Sequence, residues 1–496
     1  MRLKLPRAVA LLLTACVLAA CQTAAPNSPG KGQAPAGHFA NAKEAAFAED
    51  LSRRTFQYFW DTTTADTCLA PDRWPSNPFS SIAATGFALT AYPIGVERGY
   101  ITRAQAAERT LKCVQYYHDL PQGPDVTGVS GHKGFFYHFL RNDNGHRFGS
   151  TELSTVDTSL LLGGILFAQA YFDRDDPRER RIRDLAEAIY RRVDWTFVQR
   201  NRTGTQAANL PNSHGITMGW KPERGFETHD WVGYNEGMLV YILAAASPTH
   251  PVGRDAWDKG WAADLEKDWG TFYGQEHLQF EPLFGHQYSH VWVDFRGIQD
   301  EYMRGKGIDY FENSRRAVLS QRAYGAANPN KWVGYSGDIW GWTASDGPGG
   351  IEGKTVNGIE RRFMGYSARG ASAVRVVDDG TIVPTAAGGS IPFAPEVTLP
   401  ALLNMKAAYG DKLYSRYGFR DSFNPSFTFA DAHSTDGKVY PGFGWIANDH
   451  LGIDQGPILA MLENHRSELV WKTMRKSPHI RNGLKKLGFS GGWLEE

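Results

Sequence analysis

The chain has few cysteines and no net charge, and each shortage argues against a class of function. It contains 496 residues, with 53 Lys plus Arg balanced by 53 Asp plus Glu. A nucleic-acid-binding protein needs an excess of Lys and Arg to neutralise phosphates, and a polybasic membrane-surface protein needs a similar excess, so neither class is favoured. The four cysteines form no CxxC motif and no HExxH motif occurs, so the sequence predicts no metal site and no cofactor.

The sequence also lacks an N-terminal hydrophobic run long enough to span a bilayer. Three basic residues precede an apolar run at residues 8–20, which is typical of a secretory signal peptide. The run leads into LAAC, ending at Cys21, which resembles a bacterial lipobox; there the peptide is cut before the cysteine and the thiol is lipidated. The alternative is an ordinary secretory signal with a cysteine here by chance. Gln22 favours a lipoprotein of the outer membrane, facing the periplasm or the cell surface.

The composition predicts three segments along the chain. Residues 1–20 are the signal peptide, residues 21–43 a lipidated flexible tether rich in Ala, Pro, Gly, Ser and Gln, and residues 44–496 one catalytic domain. Pro and Gly clusters within the domain are scattered, so no second domain is indicated. Cys68 and Cys113 could pair in an oxidising compartment or remain separate thiols, and the sequence leaves both open.

Hydrophobic periodicity predicts a mostly helical domain. The segment 154–172 is apolar nearly all round and suits a buried helix, whereas 178–198 is amphipathic and suits an outer one. About a dozen such helices indicate an all-α domain with short β pieces in its loops, and an (α/α)6 toroid is one way to organise that many paired helices. The other predicted helices are 44–60, 82–98, 102–120, 235–246, 255–272, 310–326, 395–409, 455–464 and 468–475, and the strand-like pieces are 134–140, 216–220, 290–295 and 381–383.

Four carboxylates stand at or near the starts of apolar helices: Glu152, Asp157, Glu236 and Asp454. Such a side chain can simply cap its helix, and this reading is strongest for Glu152. Asp157 and Glu236 are followed directly by an apolar helix, so they are expected to point inward among non-polar neighbours. A buried carboxylate keeps its proton to higher pH, which is what a general acid needs near neutrality.

Aromatic residues are abundant, with 27 Phe, 21 Tyr and 15 Trp. Several Trp residues stand beside polar residues and glycines in predicted loops, at Trp74, Trp231, Trp342 and Trp445. Indole faces suit sugar rings, whose C–H faces stack while their hydroxyls form hydrogen bonds; the alternative is that the aromatics fill the core. Inward carboxylates in an aromatic cleft of a neutral protein indicate glycoside hydrolysis, which needs one carboxylic acid and one carboxylate.

The motifs that carry these residues resemble the bacterial glucoamylase-like (glycoamylase) family, which includes the endo-β-1,2-glucanases of glycoside hydrolase family 144. The resemblance implies an (α/α)6 barrel and inverting hydrolysis of a β-glucan, most directly β-1,2-glucan, without a metal. It implies catalytic roles for Asp157, Glu236 and Asp454, with Glu236 as the general acid. The motifs are STVDTSLL (154–161), GYNEGMLVYILAAASPTHP (233–251), GWTASDGP (341–348), DGTIVPTAAGGSIPFAPE (379–396) and GIDQGPILAMLENHR (452–466).

The sugar-binding residues expected from the clusters and the resemblance are Trp74, Glu152, Trp231, Tyr234, Asn235, Trp342, Asp346, Trp445 and Gln455. One segment departs from the family pattern: residues 367–371 read SARGA where a Tyr-Gly-Ala-Pro-Pro run is expected. Linkage and endo or exo action are therefore open. Two other functions fit the same features: a non-catalytic glycan-binding lipoprotein and a polysaccharide lyase on the same fold. Zero net charge argues mildly against a lyase, because lyases act on uronates.

Overall fold

The computed structural model describes residues 39–200, 214–434 and 436–496. The expected signal peptide, most of the tether and the lipidation site Cys21 lie outside the described residues. Among the residues that are described, no helix is long and apolar enough to cross a membrane.

Seventeen α-helices account for most of the regular structure in the described ranges. They are α1 Ala42–Thr62, α2 Ile82–Glu97, α3 Arg103–Asp119, α4 Thr155–Tyr171, α5 Pro177–Arg191, α6 Trp195–Val198, α7 Met238–Ala246, α8 Arg254–Asp258, α9 Leu265–Asp268, α10 Tyr288–Trp292, α11 Glu301–Lys306, α12 Tyr310–Ala327, α13 Pro384–Gly388, α14 Pro395–Tyr409, α15 Gly452–Ser467, α16 Leu469–Met474 and α17 Pro478–Lys486.

Six of these helices, α2, α4, α7, α10, α13 and α15, are buried nearly all round and form an inner ring. Successive members pack on one another from α2 to α10 and from α13 to α15, and α15 closes the ring by packing on α2. Between α10 and α13, Gln287 just before α10 donates to the Ala386 carbonyl of α13 at 3.0 Å. Helices with one buried face, such as α3, α5 and α17, pack outside on α2, α4 and α7. This is the (α/α)6 barrel expected from the sequence.

Two glycines set the closest approach within the inner ring. Gly86 of α2 and Gly164 of α4 face each other, and a Cβ added at Gly164 would lie 2.0 Å from the carbonyl oxygen of Gly86. A Cβ added at Gly86 would meet the Leu160 carbonyl oxygen at 2.3 Å. The glycines that interrupt the apolar pattern of these helices are therefore what allows their backbones to touch.

Gly164→Ala should force α2 and α4 apart and lower the free energy of unfolding by about 1–3 kcal/mol or more, since overpacking strains a closely packed core. Gly305→Ala is a matched control, because Gly305 also lies in a helix but has no atom within 4 Å of an added Cβ. Denaturant unfolding measures both variants. Equal stability of the two would contradict the packing described here.

Short strands, in small antiparallel sheets of two or three, fix the loops around the ring. Two ladders position the site: Trp74 pairs with His450 just before α15, and Leu153 pairs with Trp220 just before α4. The strands are β1 Arg73–Trp74, β2 Ser80–Ser81, β3 Gly131–His132, β4 Phe135–Phe136, β5 Phe139–Leu140, β6 Leu153–Ser154, β7 Gly219–Lys221, β8 Gly225–Phe226, β9 Trp269–Phe272, β10 Gln275–Leu278, β11 Ala344–Ser345, β12 Ile351–Val356, β13 Ile359–Phe363, β14 Ser367–Ala368, β15 Gly370–Ala371, β16 Val376–Val377, β17 Tyr414–Ser415, β18 Gly418–Phe419, β19 Phe423–Asn424, β20 Gly437–Tyr440, β21 Gly444–Ala447 and β22 His450–Leu451.

Several predicted elements differ from the structure, and one question that the sequence left open is answered. The predicted helix 178–198 is divided into α5 and α6, and the predicted strand 381–383 is only a bridge between Ile382 and Phe423. The predicted helix 255–272 is instead two short helices, a 3-10 turn and a strand, because its chain turns at Gly260 and ends in the β9–β10 hairpin. The predicted strand 290–295 starts inside α10. Cys68 and Cys113 form a disulfide, which ties the loop after α1 to α3.

Candidate active site

The first turns of inner helices meet at one cavity of about 410 Å³. Asp157 comes from the first turn of α4, and Glu236 stands two residues before α7. Tyr288 and Ile453 come from the starts of α10 and α15. Elements far apart in sequence therefore present carboxylates and aromatic rings to a single space.

Glu236 has a buried carboxyl group of which one oxygen lacks a partner. Its Oε2 atom is buried and has no hydrogen-bond partner among the described residues. Burial raises the pKa of Glu236 to about 7, and the negative charge of Asp157 adds to the rise. A side chain of this kind is protonated over much of the neutral range and can donate its proton.

Asp157 lies in a more polar setting on the same cavity. The Ser154 hydroxyl caps α4 by accepting from the Asp157 backbone N–H at 3.1 Å, and it donates to Asp157 Oδ2 at 2.5 Å. Because Ser154 supplies the cap, the carboxylate is left to face the cavity. Burial raises the pKa of Asp157, while the nearby His138 acts against that rise.

His138 is a cavity residue that the sequence analysis missed. Its Nδ1 lies 2.8 Å from Glu152 Oε1 and its Nε2 lies 3.5 Å from Asp157 Oδ2. Burial alone would lower the pKa of His138, but Asp157 and Glu152 outweigh it and raise the pKa to about 9. Glu152, predicted to bind sugar or cap the helix, lines the cavity as the partner of this imidazolium and does not cap α4.

Asp454 belongs to a second group of carboxylates, beside the cavity wall at Ile453. Asp454 Oδ2 and Asp421 Oδ1 are both buried and have no hydrogen-bond partner among the described residues. Burial raises the pKa of Asp454 well above its usual value, and the negative charges of Asp421, Asp346 and Asp72 add to the rise. Asp454 is therefore more readily protonated than an ordinary aspartate.

Asp346, predicted to bind sugar, is fully buried in this second group. Arg73 Nη1 lies 3.0 Å from both of its carboxylate oxygens, and the Asp346 backbone N–H donates to Asp421 Oδ2 at 2.7 Å. The Arg73 guanidinium also contacts Asp72 at 3.2 Å. The Arg73 guanidinium thus pairs with two buried carboxylates, Asp346 and Asp72. Within the described ranges, no three His, Cys, Asp or Glu side chains are grouped as metal ligands.

The predicted tryptophan platforms divide into two kinds. Trp231 lines the cavity, and its indole N–H donates to the Thr155 hydroxyl at 2.9 Å. Trp342 and Trp445 are 0% exposed, so the prediction that they present sugar platforms is wrong for this structure. Their glycine-rich loops fold inward. Trp74 is half-buried in the β1–β22 ladder and is not among the cavity-lining residues.

Tyr234, Asn235 and Gln455 are also core side chains, outside the cavity lining. Asn235 accepts the backbone N–H of Gly237 at 2.9 Å and so shapes the turn before α7, while Tyr234 stacks on Tyr310. Gln455 donates to the Phe419 carbonyl at 2.8 Å. Their positions support the site rather than face a ligand.

Tyr288 and Tyr366 are cavity residues that sequence reasoning passed over. Tyr366 directly precedes the divergent SARGA segment, which was the available signal for it. The side chain is 51% exposed overall, yet burial of its hydroxyl raises the pKa well above the usual value, with Asp454 adding to the rise. Burial also raises the pKa of Tyr288, and the negative charge of Asp454 adds to the rise. Both phenols therefore line the cavity and lie within electrostatic range of Asp454.

Together, the inner ring and its cavity define an (α/α)6 barrel with a carboxylate-bearing, aromatic-walled site. The chain belongs to the Glycoamylase family, whose model, described as "Putative glucoamylase", matches residues 228–478. A crystal structure of "a putative glucoamylase" from Bacteroides uniformis ATCC 8492 shares 32% sequence identity, covers 92% of this chain and 99% of its own, and superposes with a TM-score of 0.76.

Two relatives have named activities. The endo-beta-1,2-glucanase from Chitinophaga pinensis, solved with sophorotriose and glucose, is 29% identical, with 91% of this chain and 99% of its own covered and a TM-score of 0.74. The exo beta-1,2-glucooligosaccharide sophorohydrolase (non-reducing end) of Parabacteroides distasonis is 27% identical over 467 residues. That match covers 88% of this chain but spans only 57% of the curated relative's length.

Proposed function

We propose that this protein is a glycoside hydrolase that cleaves β-1,2-glucan or its oligosaccharides by an inverting acid/base mechanism. The observation that carries the proposal is the pair of unlike carboxyl groups on one cavity. Burial raises the pKa of Glu236 to about 7, and its Oε2 atom has no partner among the described residues, whereas Asp157 is hydrogen-bonded and lies beside a cation. The names of the relatives, which act on β-1,2-linked glucose polymers and oligomers, support the linkage.

The two side chains have complementary tasks in the proposed reaction. Glu236 donates its proton to the glycosidic oxygen as the bond between that oxygen and the anomeric carbon breaks. Asp157 accepts a proton from a water molecule as the water oxygen bonds to the anomeric carbon on the opposite face. Glu236 ends ionised and Asp157 protonated, and exchange with solvent restores both.

Asp454 is a less suitable base in this scheme. A base must be ionised, and burial and the negative charge of Asp421 raise the pKa of Asp454 well above its usual value. Asp454 is also not among the cavity-lining residues, whereas its neighbour Ile453 is. Its catalytic assignment from the sequence stays a prediction, which an Asp454→Asn variant tests.

The alternatives receive less support from the same site. A non-catalytic glycan-binding protein has no use for a buried carboxyl oxygen that lacks a partner, as Glu236 Oε2 does among the described residues, because such an atom is costly to the fold. A lyase needs cationic groups for an acidic sugar, but the cation placed on the cavity wall, His138, is already paired with Glu152 and Asp157.

A panel of linkage-defined glucans tests the proposal, with product sizes followed over time. We expect sugar release from β-1,2-glucan and none from β-1,3-, β-1,4- or α-1,4-glucan. Early products of many sizes would indicate endo action, and a single disaccharide product would indicate exo action. Binding of β-1,2-glucan without release by the wild-type protein would contradict the proposal.

The pH dependence follows from the two carboxyl groups. Asp157 must be ionised, so kcat/KM falls as pH drops through its raised pKa; Glu236 must be protonated, so kcat/KM also falls as pH rises through about 7. The expected profile is a bell with its maximum on the acidic side of neutrality. A profile that stays flat up to about pH 9 would contradict the assignment of Glu236 as the acid.

We also propose that the protein is exported and anchored in the outer membrane through a lipid on Cys21. The lipobox-like LAAC supports this, and the Cys68–Cys113 disulfide suits an oxidising compartment. Labelling with a fatty-acid analogue followed by membrane fractionation tests it. Cys21→Ala should abolish both label and membrane association, and unchanged fractionation would contradict the anchor.

A further inference from the structure

The Glu152–His138–Asp157 group, hereafter the imidazole clamp, joins three segments on the cavity wall. His138 precedes β5, Glu152 precedes β6 and Asp157 lies in the first turn of α4. The imidazole nitrogens lie 2.8 Å from Glu152 and 3.5 Å from Asp157, so one ring faces a carboxylate on each side. All three residues line the cavity.

The ring of His138 is held in one orientation. It stacks on Phe139, with centroids 3.9 Å apart and planes inclined by 26°. Phe139 is itself fixed, because it pairs with Ser81 in the β2–β5 ladder. With Nδ1–H donated to Glu152, the Nε2–H can point only toward Asp157.

The clamp also has a definite charge. Two carboxylates flank one imidazole, so a charged ring leaves the group with a single net negative charge. Among the groups acting on Asp157, His138 gives the largest stabilisation of the ionised form, ahead of the Ser154 hydroxyl. The other charged groups that face the clamp are Asp72, which acts on His138, Lys221, which acts on Glu152, and Glu236, whose pKa responds to Asp157.

We infer that His138, oriented by Glu152, is a positioning residue that keeps Asp157 ionised and aimed into the cavity. The effect of His138 on the reaction rests on the proposed hydrolysis. Whether the His138 ring is charged between the two carboxylates can be measured without any activity. His138 is not itself a base in this scheme. The two flanking carboxylates stabilise its protonated ring, which has no free nitrogen near neutral pH. Glu152 acts one step further away, through the imidazole.

Ring NMR of the wild-type protein, labelled at histidine, tests the clamp without a substrate. His138→Gln identifies the resonance by its loss. We expect that resonance to titrate well above about 6.5, the ordinary histidine pKa, and to move down in Glu152→Gln. Titration at or below the ordinary value in the wild type would overturn the inference.

Kinetics test the consequence for Asp157. In His138→Gln the lost positive charge should raise the pKa of Asp157, so the acidic limb of kcat/KM against pH should move up by about 1–3 pH units, while the alkaline limb stays with Glu236. Glu152→Gln should move the acidic limb in the same direction by less. His118→Gln is the matched control, because His118 also pairs with a carboxylate, Asp119 at 2.8 Å, but on the outer helix α3.

The outcomes separate the two proposals. If the wild-type protein releases no sugar from β-1,2-glucan, the proposed function fails and the NMR titration still decides the clamp. If the wild-type protein is active, the inference predicts a moved acidic limb in His138→Gln. A uniform loss of rate with both limbs unmoved would mean that His138 has only a structural role, and would overturn it. Should His138→Gln not fold, Glu152→Gln carries the same comparison.

Discussion

Glu236→Gln is expected to lower kcat on β-1,2-glucan by about 10²–10⁴-fold, the usual contribution of a general acid. Glutamine keeps the size of the side chain but cannot protonate the leaving oxygen. Because Glu236 Oε2 has no partner among the described residues, the substitution breaks no hydrogen bond of that atom. The fold should therefore be retained, and denaturant unfolding checks it. Glu108→Gln, at an exposed position of α3, is the matched control and should retain full activity.

The leaving group separates proton donation from other roles of Glu236. An aryl β-sophoroside of an acidic phenol releases its phenolate without needing protonation. Glu236→Gln should therefore lose much less activity on this substrate than on the glucan. Wild-type activity on the aryl substrate is the reference. An equal loss on both substrates would mean that Glu236 binds sugar rather than donating a proton.

Asp157→Asn is expected to lower kcat by a similar factor of about 10²–10⁴, whereas Asp454→Asn should cost much less. The reason is the protonation state of each group. Asparagine resembles a protonated aspartic acid, the form that burial and Asp421 favour for Asp454, but it cannot replace an ionised Asp157. Steady-state kinetics on β-1,2-glucan compares the two variants directly.

Azide provides a second measurement on the same pair. A small anion can attack the anomeric carbon without a base, so azide should partly restore turnover to Asp157→Asn and give an α-glycosyl azide. It should not restore Glu236→Gln. If Asp454→Asn loses more activity than Asp157→Asn and is the variant that azide rescues, the base is Asp454, and the assignment made here is wrong.

The helical framework could be predicted because its signals are local. The residues 395–409 match α14 at both ends, since Pro395 suits the first position of a helix and Gly410 directly follows its end. Thr102 and Gln105 form the capping box that the sequence indicates before α3. The segment 255–272 misleads because its tryptophans and leucine recur at helical spacing while the chain turns between them.

The site could be predicted only in part, because much of it depends on contacts between distant segments. Asp157, Glu236 and Trp231 were recognisable from carboxylates and an indole next to apolar helix starts, and all three line the cavity. His138 meets Asp157 only after β5, β6 and α4 are assembled, and no local pattern marks it. Trp342 and Trp445 misled for the opposite reason: glycine neighbours indicate a loop, but not whether that loop folds inward.

Time-resolved proton NMR of wild-type protein with β-1,2-glucan tests the central claim most directly, since one experiment reports cleavage and its stereochemistry. In the proposed reaction, Glu236 protonates the leaving oxygen while water activated by Asp157 attacks from the opposite face, which inverts the anomeric carbon. The first new reducing-end signals should therefore belong to the α-anomer, with the β-anomer appearing later by mutarotation. Initial release of the β-anomer, or no new anomeric signal at all, would contradict it.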